Sequence, residues 1–90
     1  MNSKVEYLAH IFISNGLIME NEITEDNYRQ IFNNIADDID SLLYISILSE
    51  IEEYYCIQLP DEVLMENIFH NIDNFIVLLD DEINKRAKEV

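Results

Sequence analysis

Turn-forming residues are nearly missing from this chain: one Gly and one Pro in 90 residues. That leaves little chemistry for β-hairpins, whose tight turns depend on residues that tolerate positive φ. Periodic runs of Leu, Ile, Glu and Asn favour helices packed as a bundle. Basic residues are almost as scarce, five Lys and Arg against nineteen Asp and Glu, for a net charge of -14. Phosphate binding needs Lys and Arg, so nucleic acid and anionic membrane are disfavoured as partners. Basic patches on other proteins are favoured, with salt-sensitive association. The plainer use of such charge is solubility. A lone cysteine excludes an internal disulfide, and Cys56, at the end of an apolar run, reads as a small packed residue. Neither a secretory leader nor a bilayer-spanning run is evident, and the chain reads as cytoplasmic.

What is present suits a single domain over residues 1–90. Apolar residues make up 49% of the chain, enough for one modest core and too many for disorder. The spacing predicts a first helix over Ser3–Ser14, with Val5, Leu8, Ala9 and Phe12 on one face, widened by Ile11 or Ile13. Asn15-Gly16 should end it in a left-handed cap. A long connection follows. Thr24 is placed to cap a short helix carrying Tyr28, Ile31, Phe32 and Ile35. The next helix runs from Ser41 to Tyr55, with Ile45, Leu48, Ile51 and Tyr55 as its buried stripe and Ile47 beside them. Cys56–Leu59 reads as an extended link. Pro60 then suits the start of a short helix over Asp61–Asn67, with Val63, Leu64 and Ile68 as its apolar residues. Asn71 can cap a last helix with the stripe Ile72, Phe75, Ile76, Leu79 and Ile83. Lys85, Arg86 and Lys88 complement its C-terminal end. The expected fold is all-α, a small antiparallel helical bundle of three longer helices with one or two short ones.

Chemistry within the chain is thin. The only histidines are His10 and His70, and no motif ties either to Ser41 as the general base that a nucleophilic serine needs. No zinc-ligand spacing or EF-hand loop occurs, and Asp37, Asp38 and Asp40 would gather at most a loosely held cation. Taken by itself, Ser41 reads as a helix N-cap.

Asp40-Ser41-Leu42 opens the helix, acidic residues Glu50, Glu52 and Glu53 follow, and Leu59-Pro60-Asp61-Glu62 comes after it, with 19 residues from Ser41 to Pro60. This pattern resembles the acyl carrier proteins. The likeness is good from about Asp37 to Glu62, fair from Phe69 to Leu79 and weak before Ile35. It implies that a phosphopantetheinyl transferase moves 4'-phosphopantetheine from coenzyme A onto Ser41. The arm would hold acyl or aminoacyl groups as thioesters and deliver them to loading and synthase enzymes. The protein would be a monomer with no bond-making chemistry of its own. The docking surface implied comprises Asp40, Leu42, Leu43, Ser46, Ser49, Glu50 and Glu53. Leu43 and Ser46 stand where the family often has acidic residues, which favours a specialised pathway over the housekeeping fatty-acid carrier. Leu43 either joins Leu42 as an exposed apolar pair or packs on the first loop. Asp38 and Ile39 replace the glycine usual before the serine. That departure leaves a second reading: an unmodified acidic helical module that docks on a basic protein.

Overall fold

The computed structural model describes residues 2–88, leaving out the side chains of Met65 and Lys88. Helix α1, Ser3–Ser14, starts under the Asn2 side chain, which accepts from the Lys4 N–H at 2.8 Å. It ends at Gly16 with φ +74°. The Gly16 N–H reaches the Ile13 carbonyl and the Leu17 N–H the Phe12 carbonyl, the paired bonds of a left-handed helix cap. Helix α2, Tyr28–Ala36, begins later than the sequence implies. The Asn27 side chain accepts from the Thr24 N–H at 2.6 Å and donates to the Glu22 carbonyl at 2.9 Å. Those bonds lock residues 22–27 into a turn, and among the described residues the Thr24 hydroxyl caps nothing.

Helix α3, Ser41–Tyr55, has the expected bounds. Its buried face is Tyr44, Ile47, Leu48 and Ile51; Ile45 is half exposed and not part of the stripe. Cys56 stops α3 in a left-handed conformation, φ 56° and ψ 45°, and is exposed where a packed residue in an extended link was expected. The Ile57 N–H closes the same kind of cap onto the Glu52 carbonyl at 3.0 Å. Helix α4 is only Glu62–Met65, because Glu66 turns extended and the Asn67 side chain starts a fresh 3-10 turn, Ile68–Asn71. Of the apolar residues here, Val63 and Ile68 are buried and Leu64 is exposed. Helix α5, Ile72–Lys88, is capped by Asn71, whose side chain accepts from the Asn74 N–H. The Lys88 side chain lies outside the described residues.

All four phenylalanines are fully buried, and Phe69 of the 3-10 turn is their hub. Its ring meets Phe12, Tyr44 and Phe75 edge-on at 5.1, 5.4 and 5.6 Å, and Phe32 meets Phe12 at 5.0 Å. Such edge-to-face pairs contribute about 0.5–1.5 kcal/mol each beyond area burial. The contacts also fix direction. The start of α1 lies by the end of α3, through Tyr7 and Tyr55, and by the middle of α5, through Lys4 and Asp80, while Phe12 near the end of α1 meets Phe69 just ahead of α5. Helix α1 is therefore antiparallel to α3 and α5. The latter two run the same way, since residues 56–71 carry the chain back along the bundle. Among the described residues there is no strand and no helix long and apolar enough to cross a membrane.

Candidate functional site

Asp40 is the N-cap of α3, and its carboxylate accepts from the Leu43 N–H at 2.8 Å. Ser41 is thereby relieved of capping and stands as the first helical residue, exposed. Among the described residues nothing hydrogen-bonds its hydroxyl. Asp40 satisfies one of the free N–H groups at this end of α3, where the helix dipole favours negative charge.

The linker that delivers Ser41 has no glycine and is held from three sides. Ile39 is buried. The Asn67 side chain donates to the Ala36 carbonyl at 2.8 Å. His70 brackets the end of α2, Nδ1 on Asn33 Oδ1 at 2.8 Å and Nε2 on Asp37 Oδ1 at 3.0 Å. Both ring nitrogens are thus engaged away from Ser41. His10 is exposed on α1, and Ser41 has no basic partner among the described residues. Asp37, Asp38 and Asp40 do not converge, since Asp37 turns to His70 and Asp40 to its own helix. No group of three or more acidic, His or Cys side chains is set to hold a metal ion among the described residues.

Successive helical residues stand about 100° apart. On α3 this puts Leu42, Ser46, Ser49 and Glu53 along the middle of the solvent face, all exposed, with Leu42 at 82%. Leu43 is half-buried and packs on the core, so the exposed pair does not form. Glu50 is exposed on the flank toward α1. Glu52 turns instead to the link after α3, accepting from the Leu59 N–H at 2.8 Å.

Three features were not read from the sequence. Ile45 and Leu64 are exposed and line a cleft of about 250 Å³ between α3 and residues 58–64, closed underneath by Leu48 and Val63. The signal available was Tyr44, which takes the inward position three residues before Ile47 and turns Ile45 out. The Tyr44 hydroxyl donates to the Val63 carbonyl and accepts from the Ile68 N–H at 3.1 Å, tying α3 to α4 and the 3-10 turn. Burial pushes its phenol above the usual value. The third feature is a tyrosine cluster at the far end of α3. Tyr54 stacks on Tyr7 at 3.9 Å, and Tyr55 meets both rings edge-on. Burial raises the Tyr7 phenol, and the charges of Glu50, Tyr54 and Glu53 raise it further.

The site thus offers an unengaged hydroxyl at a helix start, a mixed apolar and acidic face beside it and, among the described residues, no base hydrogen-bonded to the hydroxyl. Comparison with known proteins found no matching family model, no similar curated protein and no matching solved structure.

Proposed function

We propose that this chain is a carrier that holds acyl or aminoacyl groups as thioesters on a 4'-phosphopantetheine arm attached to Ser41. The observation that carries the reading is the division of labour at the start of α3: Asp40 caps, and Ser41 is left exposed with a free hydroxyl. A serine spent on capping would be a structural residue; this one has no structural task. With no base at hand among the described residues, the hydroxyl needs an enzyme that brings its own, which suits modification by a transferase. An anionic phosphodiester is compatible with a helix N-terminus. Asp37, Asp38 and Asp40 oppose it, exposed to water that screens much of their charge. A tethered arm raises the local concentration of its cargo at whatever enzyme the α3 face docks on.

The test is intact mass after incubation with coenzyme A and a broad-specificity phosphopantetheinyl transferase. The expected outcome is a gain of one arm, lost in Ser41→Ala. No gain, or a gain that survives the substitution, removes the reading. A cytoplasmic monomer serving a specialised pathway is part of the same proposal.

The glycine-free linker, with Asp38 and buried Ile39 ahead of Ser41, favours a second reading: an unmodified acidic module that docks on a basic protein. It expects Ser41→Ala to keep cellular function and charge reversal at Glu50 and Glu53 to abolish it. The carrier expects Ser41→Ala to abolish function.

A further inference from the structure

We propose that the cluster of Tyr7, Tyr54 and Tyr55 is a docking point for an arginine side chain on a basic protein partner. It stands about 20 Å along α3 from Ser41, at 1.5 Å per residue, and does not depend on what Ser41 carries. Tyr54 is 61% exposed, yet its ring is not free to wander. One face lies on Tyr7, nearly parallel at 17°, and Tyr55 braces its edge at 4.8 Å and 89°. Tyr7 and Tyr55 pack on the core in turn. The outer face of Tyr54 is therefore a flat, pre-ordered aromatic shelf open to solvent. Rigid exposed tyrosines of this kind are favoured anchors at interfaces because little side-chain entropy is lost on contact.

The rim of the shelf is acidic. Glu50 and Glu53 are near enough for their charges to act on the Tyr7 hydroxyl, and neither pairs with a cation among the described residues. The nearby Lys4 is already held by Asp80 at 2.7 Å. A guanidinium suits this combination better than an ammonium. It stacks flat on a ring while its edge reaches a carboxylate. The chain contains an example of its own: Arg29 lies over the Tyr28 ring at 4.7 Å while its Nε bonds Asp73 at 2.9 Å. The proposed contact repeats that chemistry with the arginine supplied by another protein.

The experiment titrates the isotope-labelled full chain with two short peptides of equal charge, one bearing two arginines and one two lysines, and follows amide shifts. The arginine peptide is expected to bind more tightly, with the largest shifts at Tyr7, Tyr54, Tyr55, Glu50 and Glu53. Tyr54→Ala should weaken it about three- to fivefold, while Tyr54→Phe should leave it unchanged. Because Tyr54 is largely solvated, neither variant should disturb the fold. Shifts spread evenly over the acidic surface, equal for the two peptides and insensitive to Tyr54→Ala, would overturn the assignment.

Discussion

At the scale of single residues, Tyr44 and Cys56 hold positions whose cost can be measured. The Tyr44 hydroxyl sits among the Val63 carbonyl, the Glu66 carbonyl and the Ile68 N–H. Tyr44→Phe leaves buried backbone groups without partners and is expected to cost about 1–3 kcal/mol in chemical denaturation. Its ionisation gives a second readout. Burial holds the folded phenol above the unfolded value of 10.0. A raised value means that the folded state keeps its proton longer. The contribution is therefore complete below pH 10 and is lost as pH climbs from there through the folded value. Tyr44→Phe should blunt the alkaline fall in Tm while lowering Tm at neutral pH. The blunting is partial, because burial also raises Tyr7 and Tyr55. Cys56 behaves oppositely. A residue with a Cβ at φ 56° is strained, and its thiol is exposed with only a long contact, 3.8 Å, to the Glu53 carbonyl. Cys56→Gly is expected to stabilise the fold by about 0.5–1 kcal/mol, readable as a higher denaturation midpoint with an unchanged slope.

At the scale of elements, the support for Ser41 comes from the 3-10 turn at Ile68–Asn71 and its preceding residue. Asn67 accepts from the Phe69 N–H and donates to the Ala36 carbonyl, so one side chain joins the turn to the end of α2. Asn67→Ala is expected to cost about 1–2 kcal/mol. It should also speed amide exchange in residues 37–40 more than in the middle of α5, since the linker loses an anchor. This joint explains which parts of the fold were legible beforehand. Helices α1 and α3 have their expected bounds because their end signals are local: Asn15-Gly16 stops the first, and Asp40 starts the second, which stops at Cys56, four residues ahead of Pro60. The Thr24 cap failed because the Asn27 side chain, accepting from the Thr24 N–H and donating to the Glu22 carbonyl, holds residues 22–27 in a turn, so that the helix starts only at Tyr28. Ile45 was misplaced because a spacing of i, i+3, i+6 fits two adjacent stripes. What chose between them was a tyrosine hydroxyl finding backbone partners nineteen and twenty-four residues away. The exposure of Ser41 was foreseeable from its place at a helix start. The aromatic shelf was not, since Tyr7 and Tyr54 meet only once α1 and α3 pack antiparallel.

At the scale of the whole molecule, charge sets the conditions under which these parts hold together. Five cations face nineteen carboxylates. The cations are partly spent in exposed pairs such as Arg29 with Asp73 and Lys85 with Asp81 and Glu82. Exposed pairs contribute about 0–1 kcal/mol each, and salt weakens them. Salt also screens the uncompensated repulsion, so the two effects oppose. Size decides between them. The radius of gyration is 12.8 Å, well inside the screening length of about 30 Å at 0.01 M salt and beyond that of about 8 Å at 0.15 M. At low salt nearly every carboxylate therefore feels the rest, while unfolding lets them separate. Repulsion should outweigh the few pairs. Raising the salt from 0.01 to 0.15 M is expected to stabilise the fold by about 1 kcal/mol, or about 4–8 °C in Tm for a domain of this length. A Tm that stays level or falls over that range, followed by circular dichroism at pH 7, would mean that the ion pairs dominate. The same salt should loosen any basic partner on the α3 face, so folding and docking are expected to respond in opposite directions.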